Sequence, residues 1–197
     1  SDNNPIMAHK FGADPAVLIY KDTVYVYSTN DMQQLEWNSG KEDNGYNKIN
    51  SLNILSSKDL VNWTDLGTVA VAGSKGPASW ATNSWAPAVA CKNIDGKDKF
   101  FLYFADSGNG IGVVTADSPA GPFFDPIKKP LISRNMPNCA NINWLFDPAV
   151  MVDSDGKGYL VFGGGHDPEK YEHPKTSRVV ALSDDMISIV GTPQTLD

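Results

Sequence analysis

The tripeptide Pro-Ala-Val occurs three times in the 197-residue chain, at 15–17, 87–89 and 148–150. Each copy opens a run typical of a β-strand, and a turn signal follows it. A β-rich segment follows each turn: TVYVYST, KFFLYFA and GYLVFGG. Apolar and aromatic residues around such turns predict three β-hairpins. The copies lie 72 and 61 residues apart, so the chain is built from a long repeat.

Each repeat continues with two more short elements. The segments LNILSSKDLVNW, IGVVTADSPAGPF and RVVALSDDMISI place an apolar strand before a Ser/Asp-rich turn, and a short fourth element follows, as at 65–69 and 189–193. Four antiparallel strands per long repeat are typical of a β-propeller blade. We therefore predict an all-β fold in which this chain supplies three blades. Because propellers close with about 4 to 8 blades, we expect residues 1–197 to be the N-terminal portion of a single propeller domain, completed by a C-terminal remainder.

The residue before each Pro-Ala-Val differs between the copies: Asp14, Ala86 and Asp147. Proline suits the first residue of a strand, and it favours an extended conformation for the preceding residue. Since Ala86 shows that the repeat needs no carboxylate there, Asp14 and Asp147 are candidate functional residues. The innermost strands of a propeller line a central channel, so we expect both carboxylates to face one cavity, where burial and repulsion should separate their pKa values. The structural alternative is turn capping, or pairing with a buried arginine.

The overall charge argues against two classes of partner. The chain carries 16 Lys and Arg against 23 Asp and Glu, a net charge of −7. Nucleic acids and anionic membranes require a basic face, so we expect neither as a partner, whereas a neutral ligand is compatible. No apolar run has the length of a membrane-spanning helix. No signal peptide is visible, and the cellular location stays open. Cys91 and Cys139 lack metal-binding spacing, which favours free thiols.

Four motifs in a fixed order connect the chain to a known family. They are NPI leading to ADP at 13–15, SSKDLVNWTDLG at 56–67, SWAPAV at 84–89, and FDPAVMVDSDGKGYLVFGG at 146–164. Together they resemble the N-terminal part of a glycoside hydrolase family 43 enzyme. The resemblance implies a five-bladed propeller and an inverting hydrolase. It is nearest to the α-L-arabinofuranosidase/β-xylosidase branch, which acts on arabinoxylan-type hemicellulose.

The same resemblance assigns catalytic roles. Asp14 matches the general base that activates water, and Asp147 matches the second aspartate, which tunes the general acid and helps to orient the substrate. Inverting enzymes hold acid and base about 6.5–9.5 Å apart. The general acid is a glutamate on a later blade, so we expect this chain to be inactive alone. The glutamates present are assigned no such role: Glu36, Glu42, Glu169 and Glu172.

Four further residues are candidates for substrate binding, because sugars stack on aromatic rings and need polar partners. Trp85 and Phe146 flank the strand starts and are expected to wall the sugar pocket, with core packing as the alternative. Trp80 lies in a Gly/Ser-rich loop that suits an outer subsite or surface packing. His9 lies five residues before Asp14, and a structural hydrogen bond competes with substrate contact. No cofactor is required; the resemblance allows a channel calcium, whose ligands this sequence does not identify.

Two other functions stay open at this point. One is a carbohydrate-binding propeller without catalysis, in which the aspartates accept hydrogen bonds from hydroxyl groups. The other is an endo-arabinanase, which needs an open groove rather than a pocket. In every case the expected partners are a hemicellulose-derived saccharide and the C-terminal remainder of the propeller. The choice between arabinose and xylose is likewise open.

Overall fold

The computed structural model describes residues 5–41, 45–166 and 175–196. Within them, twelve strands form three four-stranded antiparallel sheets, each with its strands in chain order. Sheet 1 contains β1 (Ala13–Tyr20), β2 (Thr23–Thr29), β3 (Ser51–Ser57) and β4 (Thr64–Ala70). Sheet 2 contains β5 (Trp85–Ile94), β6 (Lys97–Ala105), β7 (Gly110–Ala116) and β8 (Ile132–Ser133). Sheet 3 contains β9 (Ala149–Val152), β10 (Gly158–Gly163), β11 (Ser177–Leu182) and β12 (Ile189–Thr195).

The all-β prediction is confirmed, and the three sheets coincide with the three predicted repeats. The one helix of the described residues, α1 (Asp31–Trp37), lies between β2 and β3 and was not predicted. Its seven residues, DMQQLEW, are too few and too polar to show helical periodicity. It buries Gln34, whose side chain accepts a hydrogen bond from the Lys48 backbone N–H at 2.7 Å.

The sheets stack face to face, and sheet 2 is covered on both sides. Along β6, Phe100, Leu102 and Phe104 belong to one buried cluster, which includes residues of sheet 1. The alternate residues, Phe101 and Tyr103, belong to the other cluster, which includes residues of sheet 3. This division follows from the two-residue period of a strand, which sends successive side chains to opposite faces.

Buried tyrosine hydroxyls connect each sheet to the next. Tyr27 of β2 donates to the Pro119 carbonyl at 2.6 Å, and Tyr103 of β6 donates to the Met186 carbonyl at 2.8 Å. The two tyrosines occupy the same position in their repeats, because Tyr27 pairs with Ala16 and Tyr103 pairs with Ala88. The hydrogen bonds therefore reproduce one sheet-to-sheet arrangement twice.

A β-bulge recurs at the beginning of each sheet. The register runs from Ala13↔Thr29 to Ala16↔Tyr27 in sheet 1, and from Trp85↔Ala105 to Ala88↔Tyr103 in sheet 2. Two residues thus oppose one at each bulge. Sheet 3 repeats the pattern: Val161 pairs with Ala149, and the Gly163 N–H donates to the Phe146 carbonyl at 2.9 Å.

The bulge corrects one prediction. The residue before each proline is not extended: φ is +50° at Asp14, +43° at Ala86 and +47° at Asp147. Left-handed backbone at a residue with a side chain costs about 1–2 kcal/mol. The bulge reverses the backbone locally, and this outweighs the preference that proline imposes on its neighbour. Because Ala86 shares the conformation, it belongs to the architecture of the repeat rather than to the carboxylates.

The outer faces of sheets 1 and 3 are open, unlike the equivalent faces between sheets. Val17 of β1 is 59% exposed, whereas its equivalent in β5, Val89, is 9% exposed. Met151 of β9 is 55% exposed, whereas its equivalent, Ala90, is 7% exposed. Each buried equivalent is covered by the neighbouring sheet. The stack of three sheets therefore ends in apolar surface on both sides.

No helix in the described ranges is long and apolar enough to cross a membrane. Cys91 and Cys139 are free thiols, as their spacing indicated, and burial raises the pKa of both.

Candidate active site

A cavity of about 380 Å³ lies where the three sheets begin. Residues at or beside the starts of β1, β5 and β9 line it, because these three first strands lie side by side. The end of β2, the first residue of α1 and the segment before β3 complete its wall. The lining residues are Ala13, Asp14, Thr29, Asp31, Tyr46, Ile49, Trp85, Phe146 and Asp147.

Asp14 and Asp147 both line this cavity, from sheets 1 and 3. Both residues are exposed to solvent. Partial burial raises the pKa of the Asp147 carboxyl, and the negative charge of Asp14 raises it further. The direction is the one expected for two carboxylates that share a partly desolvated space. Both carboxylates can accept hydrogen bonds from a ligand in the cavity.

Aromatic rings form the walls beside the carboxylates. The Trp85 indole N–H donates to the Tyr46 carbonyl at 3.0 Å, and the two rings meet edge to face at 6.4 Å between centroids. On the other side, Phe146 stacks on Trp144 with centroids 5.9 Å apart and an angle of 26° between the planes. A Cβ atom at Gly164 would lie 2.8 Å from the Phe146 ring, so this glycine allows the ring its position.

The sequence did not single out Asp31, Thr29, Tyr46 or Ile49. A signal for the first two exists in the hairpin register, because Ala13 pairs with Thr29 and the start of β1 therefore lies beside the end of β2. Thr29 accepts a hydrogen bond from the Ala86 N–H at 2.9 Å and thereby joins sheets 1 and 2 at the cavity. Tyr46 and Ile49 come from a loop, for which the repeat pattern carries no information.

Two residues proposed for substrate binding lie elsewhere. Trp80 lines a separate depression with Phe124 and Lys128, and its indole N–H donates to Asp125 at 2.8 Å. His9 is exposed, and its Nε2 lies 2.6 Å from an Asp65 carboxylate oxygen that Lys10 also contacts at 2.7 Å. Lys10, and then His9, lowers the pKa of Asp65. The ion pair holds the segment before β1 against β4, so His9 has the structural bond that competed with substrate contact.

The sequence assigned neither a general acid nor metal ligands to this chain. Glu36 lies on α1 and is exposed, whereas Glu42, Glu169 and Glu172 fall outside the described residues. Within residues 5–41, 45–166 and 175–196, no group of three or more His, Cys, Asp or Glu side chains is arranged to hold a metal ion.

The comparison with known families decides the classification. The sequence profile of Glycosyl hydrolases family 43 matches residues 3–197. The chain belongs to glycosyl hydrolases family 43. The ordered motifs around Asp14, Trp85 and Asp147 are thus those of a family 43 chain, and the resemblance read from the sequence is confirmed.

Two curated family 43 relatives are arabinoxylan arabinofuranohydrolases. The protein of Paenibacillus polymyxa is 48% identical over the whole chain, and that of Bacillus subtilis is 49% identical over the whole chain. A crystal structure of a family 43 arabinoxylan arabinofuranohydrolase from Bacillus subtilis, in complex with cellotetraose, superimposes on 99% of this chain with a TM-score of 0.93 and 49% identity. An α-L-arabinofuranosidase from Clostridium thermocellum superimposes on 99% of it with a TM-score of 0.72 and 37% identity.

This family 43 chain is shorter than those relatives. It spans 32% of the Paenibacillus polymyxa protein and 40% of the Bacillus subtilis protein. It covers 42% of the chain in the Bacillus subtilis crystal structure and 59% of the Clostridium thermocellum chain.

Proposed function

We propose that the protein releases arabinofuranosyl units from arabinoxylan-type hemicellulose or its oligosaccharides. The observation that carries the proposal is the convergence of Asp14 and Asp147 on one cavity with aromatic walls. The names of the two curated relatives, arabinoxylan arabinofuranohydrolases, support the choice of arabinose over xylose.

In the proposed reaction, Asp14 is the general base. It accepts a proton from a water molecule as that water attacks the anomeric carbon, and the glycosidic bond breaks on the opposite face of the sugar. Attack from the opposite face inverts the configuration at the anomeric carbon. The leaving oxygen takes its proton from a glutamic acid in the C-terminal remainder of the protein.

Asp147 acts on that glutamic acid through its charge. A second carboxylate near the acid raises the pKa of the acid, because like charges disfavour ionisation, and it keeps the acid protonated until the bond breaks. Asp147 also accepts hydrogen bonds from the sugar. Trp85 and Phe146 contact its apolar faces, as aromatic rings do in saccharide sites.

We propose that the three sheets are three blades of a five-bladed ring, and that the remainder packs on the two open faces marked by Val17 and Met151. Their equivalents, Val89 and Ala90, are buried by a neighbouring sheet. Closing the ring would also surround the cavity, which the first strands of sheets 1 to 3 border on one side only.

The test uses the complete protein, meaning this chain together with the polypeptide that closes the ring. Incubated with arabinoxylan, it is expected to release L-arabinose. Proton NMR during the first turnovers should show the anomer opposite to that of the cleaved bond. Release of xylose alone, or of arabinose with retained configuration, would contradict the proposed reaction. Binding of arabinoxylan without any release would instead identify a carbohydrate-binding propeller.

A further inference from the structure

Asp31 brings a third carboxylate to the cavity, and the roles proposed for Asp14 and Asp147 leave it unused. It is the first residue of α1 and follows the end of β2 by two positions. Its side chain lines the cavity together with the other two aspartates. One of its carboxylate oxygens, Oδ2, is buried and has no hydrogen-bond partner among the described residues.

This position is unfavourable for folding. Burial raises the pKa of Asp31, the charge of Asp14 raises it further, and an interaction with the Ala13 backbone N–H offsets part of the shift. A buried carboxylate oxygen without a donor loses its hydration without compensation. The Ala13 N–H therefore compensates part of the cost of burying the carboxyl, and Oδ2 is left without a donor among the described residues.

The other two sheets provide an internal comparison. Asp31 lies two residues after Thr29, which pairs with Ala13. The equivalent residue of sheet 2 is Ser107, two after Ala105, and that of sheet 3 is Gly165, two after Gly163. Neither has a carboxylate. The architecture of the repeat thus does not require one at this place, which is the same contrast that Ala86 makes with Asp14.

We propose that Asp31 is a substrate-binding residue whose carboxylate accepts a hydrogen bond from a hydroxyl group of the sugar in the cavity. The inference rests on the proposed function, since it assumes that a saccharide enters. A carboxylate can only accept hydrogen bonds, and a sugar hydroxyl is a neutral donor that satisfies it. Three carboxylates disfavour an anionic ligand. A metal ion fits poorly, because the described residues hold no group arranged to bind one.

The role is one of positioning and specificity rather than proton transfer. A hydrogen bond from a neutral hydroxyl to a charged acceptor contributes enough that its loss lowers affinity about 10- to 100-fold. Asp31 therefore selects sugars that present a hydroxyl at one ring position, and a sugar without that hydroxyl leaves the carboxylate unpaired. Such a site rejects the deoxy analogue strongly.

The experiment combines substrate and protein variants. The complete protein and its Asp31→Ala variant are assayed with 4-nitrophenyl α-L-arabinofuranoside and with its 2-deoxy, 3-deoxy and 5-deoxy analogues. The wild type should lose about 10- to 100-fold in kcat/KM on the analogue that lacks the bound hydroxyl. On the parent substrate, the kcat/KM of Asp31→Ala should be lower than that of the wild type by a similar factor. On the analogue that lacks the bound hydroxyl, the kcat/KM of Asp31→Ala should fall no further. A general structural defect would lower all four values alike.

Two controls keep the result interpretable. Asp31→Asn preserves the shape of the side chain and an acceptor for the Ala13 N–H, and it removes the charge. Its kcat/KM should therefore fall less than that of the wild type on the analogue that lacks the bound hydroxyl, although the effect should be smaller than in Asp31→Ala. This variant provides the test even if Asp31→Ala folds poorly. Asp22→Asn removes an exposed carboxylate that pairs with Lys58 and accepts a hydrogen bond from Thr23 on the surface, away from the cavity, and it should behave as the wild type. Equal losses on every analogue in wild type and both Asp31 variants would overturn the role of Asp31. Absence of any turnover by the wild type would overturn the proposed function itself.

Discussion

At the scale of single residues, the cavity places carboxylates where they oppose folding. Asp147 has its pKa raised by burial and by Asp14, and Asp31 has its pKa raised by burial and by the same neighbour. The sequence predicted that Asp14 and Asp147 face one cavity, because the repeat placed both residues directly before Pro-Ala-Val. It did not indicate Asp31, because that residue follows the hairpin outside the repeated tripeptide and resembles an ordinary turn residue.

The raised pKa of Asp147 predicts a direction for the pH dependence of stability. Below the ordinary aspartate pKa of 3.8, the folded and the unfolded chain both hold the proton. Above it, the unfolded chain releases the proton first, so the free energy of unfolding falls until the pH passes the raised pKa of the folded state. Asp147→Asn should therefore be more stable than the wild type near neutral pH, with a smaller difference near the ordinary aspartate pKa.

Urea unfolding at the two pH values measures this difference. The matched control is Asp155→Asn, because Lys157 lowers the pKa of Asp155 and the sign should be opposite. A loss of stability in Asp147→Asn near neutral pH would show that the Asp147 carboxylate stabilises the fold. In that case its place in the cavity would need no functional explanation.

At the scale of elements, the bulge at the start of each sheet shows where sequence patterns stop being informative. The tripeptide located all three strand starts, since proline, alanine and valine suit the first residues of an inner strand. It did not reveal that the residue before proline is left-handed, because this depends on the pairing of β1 with β2 and of β5 with β6. The helix α1 was missed for a related reason, since its polar residues are held by contacts with the segment before β3.

The strain of the left-handed backbone at the bulge can be measured at Ala86, because no carboxylate at this position contributes to the free energy of unfolding. Glycine adopts a φ of +43° without the steric cost that alanine has there. Ala86→Gly should therefore raise the free energy of unfolding by about 0.5–1 kcal/mol. Ala88→Gly, two residues further along the same buried strand, should lower it by about 1 kcal/mol. Urea unfolding of both variants provides the comparison, and equal losses would argue against strain at the bulge.

At the scale of the whole molecule, the sheets form a stack, and among the described residues only sheet 2 is covered on both faces. The repeat predicted three such units and the need for neighbours beyond them. It left open which residues face the neighbours, and the register now gives one such row: Met151, Tyr159, Ala181 and Val190 lie side by side on the open face of sheet 3. The equivalent row of sheet 2 contains Ala90 and Phe101, which are buried.

Amide hydrogen exchange tests whether the remainder covers this row. In the complete protein, the amides of β10 and β11 should exchange more slowly than in the isolated chain, because a packed neighbour stabilises the sheet against local opening. The amides of β6, whose faces are already covered, serve as the internal reference and should change least. Equal exchange of β10 and β11 in the two proteins would contradict the proposed ring.

The proposed active site depends most on Asp14. The decisive measurement is the rate of L-arabinose release from arabinoxylan by the complete protein and its Asp14→Ala variant, with Asp22→Ala as a control in the same hairpin. Ala86 shows that alanine fits this backbone position, so the variant should fold. Loss of the general base should lower the rate about 1,000-fold or more, whereas Asp22→Ala should match the wild type. Release by Asp14→Ala at nearly the wild-type rate would contradict the assignment of Asp14 as the base.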